Sequence, residues 1–209
     1  MHVCSPPWAV ARQVLDKAET LRLAEQCGVA YPRSLVLHRP EDIERLPEDF
    51  PFPAIIKPAD KGRGHRLRLR YFDERAALER FVAEHARADE PWLIQEHVGG
   101  YGLGIEVLMH GGEPLTVFQH NRLKEYPVSG GVAARCSARP VDPELRAQAT
   151  QLLRSLGWEG VAMVEYRHEP QSGRTVLMEV NGRYWGSVAL PLHCGVELPW
   201  YEWQLAHGQ

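Results

Sequence analysis

The stretch VAMVEYR (161–167), the turn PQSG (170–173) and TVLMEVN (175–181) together predict a β-hairpin near the end of the chain. Glu179 and Asn181 are two residues apart, so both side chains leave the same face of one strand. The hairpin places Glu165 on the adjacent strand. Three oxygen-bearing side chains on stiff strands suit a hard cation such as Mg²⁺, with positions left for phosphate oxygens.

The alternative for this hairpin is a solvated sheet face that carries two acids. Arg183 follows Asn181 by two residues in NGRYWGS (181–187). A guanidinium beside such a site suits a phosphate or a developing negative charge, although an ordinary surface arginine fits the same position.

Weaker signals of the same kind lie upstream. Lys57 ends the apolar strand AIIK (54–57) and can reach a phosphate, although a lysine snorkelling at a strand edge fits as well. DKGRGH (60–65) offers glycines and basic side chains, but it lacks the spacing of a phosphate-binding loop before a helix. QEHVGG (95–100) ends a strand with backbone groups suited to a purine edge. A plain strand-to-loop exit is the alternative there.

Composition excludes several classes of protein. The 209 residues are 44% hydrophobic and 24% charged with a net charge of −3, a mixture typical of a globular protein with a real core. Disorder, collagen and coiled coil are excluded, and near-neutral charge gives no general drive to bind nucleic acid. The four cysteines form no C-x-x-C pair, and no export signal or membrane-spanning run is visible. We therefore expect a cytoplasmic protein with reduced thiols and no membrane or nucleic-acid partner.

The order of predicted elements is typical of an α+β fold with antiparallel sheets. We predict helices over 17–27 (with Asp16 as N-cap), 40–46, from Asp73 onward, 142–156, 187–195 and 199–208. We predict further strands over 34–38, 54–57, 66–72, 92–98, 105–110 and 114–122, with a loop over 124–131.

Taken in order along the chain, these segments resemble an ATP-grasp domain from about Asp16 to the C-terminus. The resemblance rests on DKAETLRLAEQCGVAYP (16–32), PAIIKPADKGRG (53–64), WLIQEHVGGYGLGIEVL (92–108), HNRLKEYPVSGG (120–131), GVAMVEY (160–166) and VLMEVNGRYWGS (176–187). The Glu-x-Asn-x-Arg core of the last stretch is the most specific part. The chain is most similar to carboxylate–amine ligases that carry an Asn-x-Arg-x-Trp-Gly-Ser element.

The resemblance implies an ATP-grasp fold in which two α+β subdomains clasp a nucleotide between antiparallel sheets. It divides the chain into a short N-terminal segment (1–15), an N-terminal subdomain with the hinge (16–98) and a C-terminal subdomain (99–209). Such enzymes usually carry a further domain before the first helix, and Ala133 stands where they often have serine. We therefore expect a fragment, a minimal enzyme, or a homodimer or subunit whose partner supplies the missing domain.

The resemblance also implies a role for each matching position. ATP would be bound through its phosphates by Lys17 and Lys57, under a loop containing Gly62 and Gly64, through adenine by Glu96 and Val98, and through ribose by Glu106. Mg²⁺, or Mn²⁺ in its place, would be held by Glu165, Glu179 and Asn181. Arg183 would stabilise an acyl phosphate, and Arg122 would face the γ-phosphate or the substrate carboxylate.

The function implied is ATP-dependent ligation of a small-molecule carboxylate to an amine, or to a thiol, through an acyl phosphate. Two alternatives stay open at this stage. One is a catalytically incomplete nucleotide-binding module that needs a partner, and the other is a small-molecule kinase of the same fold.

Overall fold

The computed structural model describes residues 5–60, 67–88, 90–126 and 131–208. The helices there are α1 (Trp8–Ala11), α2 (Lys17–Gln26), α3 (Arg75–His85), α4 (Pro143–Ser155), α5 (Ala189–His193) and α6 (Leu198–Ala206), with 3₁₀ turns at Arg12–Val14 and Pro40–Arg45. The strands are β1 (Ser34–Leu37), β2 (Ala54–Pro58), β3 (Arg70–Phe72), β4 (Trp92–Glu96), β5 (Tyr101–His110), β6 (Glu113–Tyr126), β7 (Val132–Arg139), β8 (Gly160–Glu169) and β9 (Arg174–Asn181).

The first sheet has four strands in the order β1-β4-β2-β3, and every neighbouring pair is antiparallel. Helix α3 covers one face because Leu78 and Val82 point into a core that includes Ile56 and Ile94 of the sheet. The opposite face carries Lys57 at the end of β2. That face is turned toward the second sheet, since Lys57 and β8 residues line one cavity.

The second sheet has five antiparallel strands in the order β7-β6-β5-β8-β9. Alternate residues of β5, such as Ile105 and Val107, pack against Ala149 and Leu152 of α4 in the larger core of the molecule. The residues between them, including Glu106, project from the other side, as strand geometry requires. We call that side, which also carries Arg122 and Glu165, the site face.

Helix α2 packs against the cores of both sheets. Leu21 packs with Ala59 and Leu93 at the end of the first sheet, whereas Leu23 and Ala24 belong to the core of the second sheet. The sheets divide the chain near 98, but the helix that opens the predicted 16–98 subdomain packs against both. The subdomain boundaries therefore stay a prediction.

Most predicted elements are confirmed, and three predictions are wrong. Residues 67–69 lie outside β3, because the edge strand pairs with β2 only over three residues and Leu69 is 44% exposed. The N-cap of α3 is Glu74 rather than Asp73. Residues 124–126 of the predicted loop over 124–131 are strand instead, since β6 continues to Tyr126 and pairs with the unpredicted strand β7. Residues 127–130 of that loop lie outside the described residues.

The assignment of helix N-caps can be tested directly on α4. Asp142 Oδ1 accepts the backbone N–H groups of Glu144 at 2.9 Å and Leu145 at 3.1 Å. Asp142→Ala should lower the free energy of unfolding by about 1 kcal/mol, the usual value of a helix cap, measured by urea denaturation. Asp73→Ala is the matched control and should change it by less than about 0.5 kcal/mol. Equal losses in both variants would contradict the capping assignment.

Candidate functional site

A cavity of about 210 Å³ lies between the two sheets, and we call it the cleft. It brings together six of the residues singled out in the sequence: Lys57, Glu96, Val98, Arg122, Glu165 and Glu179. The first three belong to the first sheet or the segment that follows it, and the last three to the second sheet. Both halves of the fold thus contribute charged groups to one space.

The acidic cluster lies on the hairpin of β8 and β9. Glu165 and Glu179 are direct cross-strand partners, and a β-bulge follows Glu165. The amide nitrogen of Asn181 is 3.1 Å from Glu179 Oε1 and 3.5 Å from Glu165 Oε2. The hairpin therefore gathers the three side chains as the sequence pattern predicts.

These side chains fit a magnesium ion in their chemistry. Two carboxylates and a carboxamide provide hard oxygen donors, the class Mg²⁺ prefers. Within the described ranges no three His, Cys, Asp or Glu residues form a metal-holding group. The third side chain of the acidic cluster is the amide of Asn181. The amide nitrogen is turned toward the carboxylates, and rotating the amide end for end presents the oxygen instead. The metal-binding role itself stays a prediction.

Arg122 of β6 lies against the acidic cluster. Its Nη2 is 2.5 Å from Glu165 Oε2, and its Nη1 is 3.4 Å from Glu125 Oε1. The Arg122 side chain is only 11% exposed. Burial disfavours its charge, yet the two carboxylates hold the pKa of the Arg122 guanidinium above its ordinary value. A permanent cation is thereby fixed beside the acidic cluster.

Arg167 connects Glu125, the second carboxylate partner of Arg122, to the segment between the two sheets. It lies 3.3 Å from Glu125 Oε2 and donates to the backbone oxygens of Gly99 at 3.3 Å and Gly100 at 3.2 Å. Neither Glu125 nor Arg167 was predicted from the sequence. One signal was present for Arg167, which stands two residues after Glu165 and so shares its sheet face.

On the first sheet, Lys57 is oriented by a buried glutamine. Lys57 Nζ donates to Gln95 Oε1 at 2.8 Å, and Gln95 in turn donates to Ser34 Oγ at 3.0 Å. Gln95 is 1% exposed and sits across from Ile55 in the β2–β4 ladder. No local pattern in the sequence predicts this role for Gln95, because its contact depends on strand pairing.

Glu96 and Val98, the residues expected to bind adenine, line the cleft, but the carboxylate of Glu96 is already engaged. It accepts the backbone N–H of Arg33 at 2.9 Å and pairs with the guanidinium of Arg174 on β9. This ion pair joins the end of the first sheet to the second. An adenine amine would compete with Arg174 for the carboxylate, while Val98 is buried at the cleft wall.

Two other residues predicted to bind substrate, Lys17 and Arg183, are not among the described residues that line the cleft. Lys17 begins α2, and its backbone N–H donates to Ala59 O at 2.9 Å, which places it beside the end of β2. Gly62 and Gly64 lie outside the described residues. Arg183 follows β9 and lines an adjoining cavity of about 220 Å³ together with Asn181 and Glu165.

Glu106 sits beneath the site rather than at its surface. Its side chain is 0% exposed, and its Oε1 lies 2.7 Å from Nδ1 of His120, which is 1% exposed. Gly104 gives the ring its space, because a Cβ there would lie 2.6 Å from His120 Cε1. Burial raises the pKa of Glu106, against the opposing effect of His120. In this position Glu106 is shielded from a ribose, so we assign it no ribose contact in the proposed function.

Two antiparallel sheets that close around charged groups define the ATP-grasp class of fold. A family model described as "ATP-grasp in the biosynthetic pathway with Ter operon" matches residues 88–209, more than half of the chain. The chain belongs to this ATP-grasp family. The expected fold class is thereby confirmed.

Several of its relatives among curated proteins are named as ligases. The chain is 27% identical over 179 residues to a D-alanine--D-alanine ligase of Acidiphilium cryptum, covering 79% of this chain and 58% of that protein. It is also 27% identical over 173 residues to the alpha-aminoadipate--LysW ligase LysX of Sulfolobus acidocaldarius, covering 80% and 60% respectively. The chain thus spans somewhat more than half the length of these two relatives.

Solved structures show the same fold. An L-amino acid ligase from Bacillus licheniformis matches with a TM-score of 0.62 at 20% identity, over 90% of this chain and 45% of that one. The ATP-grasp ligase PsnB, solved with a precursor peptide and AMPPNP, matches with a TM-score of 0.59 at 18% identity, over 85% and 52%. Separately, none of the helices in the described parts is long and apolar enough to cross a bilayer.

The raised pKa of Glu106 predicts a pH-dependent stability. The folded protein holds the Glu106 proton more tightly than the unfolded chain, so this group stabilises the fold below its ordinary pKa. That contribution is lost as the pH rises through the raised pKa. Urea denaturation between about pH 4 and pH 7 should show wild type losing stability relative to Glu106→Gln as pH rises. A difference that is constant across this range would contradict the prediction.

The Arg167 contacts predict a local change in backbone protection. Arg167→Leu removes the donors that hold the oxygens of Gly99 and Gly100, so amide hydrogen exchange over 97–104 should become faster. Arg146→Leu, at an exposed position on α4, is the matched control and should leave this segment unchanged. Unchanged exchange in Arg167→Leu would show that the backbone of residues 97–104 does not depend on these bonds.

Proposed function

We propose that this chain carries a magnesium- and ATP-dependent ligase site that activates a carboxylate as an acyl phosphate and joins it to an amine. The observation that carries the proposal is the cleft itself, where a lysine-bearing strand of one sheet faces a pair of carboxylates on the other. The ligase names of the relatives support the same reaction class.

In the first step, an oxygen of the substrate carboxylate attacks the γ-phosphorus of ATP. The bond from that phosphorus to the oxygen shared with the β-phosphate breaks, and ADP leaves with the electron pair. Magnesium, held by Glu165, Glu179 and Asn181, would supply charge neutralisation and orient the phosphate oxygens. No side-chain nucleophile is required, so catalysis consists of positioning and electrostatic stabilisation.

The chain supplies two fixed cations for that step. Lys57 is oriented by Gln95 and reaches the cleft from the first sheet. Arg122 reaches it from the second sheet and is held by Glu125 and Glu165. Because both are anchored before substrate enters, little reorganisation is needed as negative charge shifts between the phosphates.

In the second step, the amine lone pair attacks the acyl carbon, and the bond to the phosphate oxygen breaks. Inorganic phosphate leaves with both electrons of that bond, and the proton lost by the amine nitrogen goes to the departing phosphate. Arg183 lines the cavity adjoining the acidic cluster, where its guanidinium suits the charge on the acyl phosphate and the leaving group. A thiol in place of the amine would follow the same course.

The test is ADP release from Mg-ATP in the presence of paired acids and amines. Glu179→Ala should reduce release by about 100-fold or more, since it removes a donor of the acidic cluster. Glu48→Ala is the matched control, an exposed acid away from the cleft, and should retain wild-type rates.

Three outcomes would overturn the proposal. One is that no acid–amine pair releases more ADP with wild type than with Glu179→Ala. A second is a stable phosphoester product with no free phosphate, which identifies a kinase. The third is tight binding of Mg-AMPPNP, measured by calorimetry, with no turnover of Mg-ATP in any pair, which identifies a nucleotide-binding module.

A further inference from the structure

A second cavity, of about 560 Å³, lies on the other face of the first sheet, beside α3. We call it the α3 cavity. Its walls come from the segment leading into β3, from α3, and from the start of β4, and they include Arg68, Arg70, Phe81 and Trp92. Its volume is within the range typical of small-molecule sites, and nothing in the proposed ligase reaction uses it.

The side chains of one short segment divide between this cavity and the cleft. Along the segment 68–71, Arg68 and Arg70 line the α3 cavity, whereas Leu69 and Tyr71 line the cleft. Within 68–71 the two arginines therefore lie on one side of the segment and Leu69 and Tyr71 on the other, while Leu67 also lines the α3 cavity.

The charge of the α3 cavity is strongly positive. Arg68, Arg70 and Arg87 contribute three guanidinium groups, and Glu90 is the one carboxylate among the described lining residues. All three arginines are exposed at the cavity, and Arg70 lies over the ring of Phe81 at 5.0 Å. Guanidinium groups clustered in this way match the planar geometry of carboxylate and phosphate oxygens.

A buried hydrogen-bond donor is the second, independent observation. Trp92 lines the cavity and is 3% exposed, yet its indole N–H has no hydrogen-bond partner among the described residues. A buried N–H without an acceptor is costly, so a ligand oxygen that reaches this nitrogen would stabilise it.

The remaining wall is aromatic. Phe81 stacks on His85 with ring centroids 4.4 Å apart and on Trp92 at 5.8 Å. This stack forms an aromatic wall of the cavity beside the cationic groups, with Arg70 over Phe81. The combination suits a ligand that carries both a planar ring and an anionic group.

We propose that the α3 cavity is a second binding site for a small organic anion, with its carboxylate or phosphate held by the arginines and its ring against the Phe81 stack. The Trp92 indole N–H donates to an oxygen of the same ligand. The site is distinct from the cleft because it lies on the opposite face of the first sheet, and its occupancy does not depend on the ligase reaction.

The indole N–H signal of Trp92 in nuclear magnetic resonance spectra, assigned with Trp92→Phe, provides the test. Phenyl phosphate and benzoate are the probes, and the uncharged benzamide is the control ligand. A saturable shift of the Trp92 signal should appear with a charged probe and not with benzamide. The stronger of the two charged probes identifies whether phosphate or carboxylate is the preferred anion.

Variants complete the experiment. Arg68→Gln combined with Arg70→Gln should weaken probe binding by at least about tenfold. Arg87→Gln provides a second test should the double variant fail to fold, and Arg146→Gln on α4 is the matched control that should bind as wild type does. Glu179→Ala should also bind the probe normally, which separates this result from the fate of the ligase proposal.

The inference is overturned by the absence of a saturable shift, by equal binding of benzamide, or by undiminished binding in the arginine variants. Complete displacement of the probe by Mg-AMPPNP competing for the same place would also overturn it, since the two sites would then be one.

Discussion

The cleft depends on the cross-strand pairing of Glu165 with Glu179, which holds two negative charges side by side on one hairpin. Like charges in directly opposed positions destabilise a sheet, so this arrangement needs compensation. Arg122 supplies a buried cation at 2.5 Å from Glu165, and the Asn181 amide donates to Glu179 at 3.1 Å. A divalent cation would satisfy the same charges more fully, which is why the cluster is suited to binding one.

The compensating cation also connects the site to the rest of the fold. Arg122 and Arg167 share Glu125, and Arg167 holds the backbone between the two sheets. Across the cleft, Glu96 pairs with Arg174, and α2 packs against both cores. The relative placement of the two sheets is thus set by charged contacts near the cleft and by apolar packing on one helix. These contacts lie where the charged groups of the two halves line one cleft.

Much of the fold and the acidic cluster of the site could be predicted from local sequence patterns. The Glu165, Glu179 and Asn181 cluster followed from strand periodicity and one turn, because the hairpin is local in sequence. Sequence patterns did not predict a site role for Glu125, Arg167 or Gln95. Their contacts arise from strands that lie far apart along the chain. Strand β7 was missed because RCSAR (135–139) lacks an apolar alternation and is stabilised by pairing with β6. Burial of Glu106 beneath the site follows from close packing of His120 over Gly104, which no motif encodes.

The most direct measurement is a crystal structure with Mg²⁺ and AMPPNP. We expect the triphosphate in the cleft between the sheets, with a metal ion bound by oxygens of Glu165, Glu179 and Asn181 at about 2.0–2.1 Å. Nucleotide bound elsewhere, or a metal ion in the cleft that touches none of these three side chains, would contradict it.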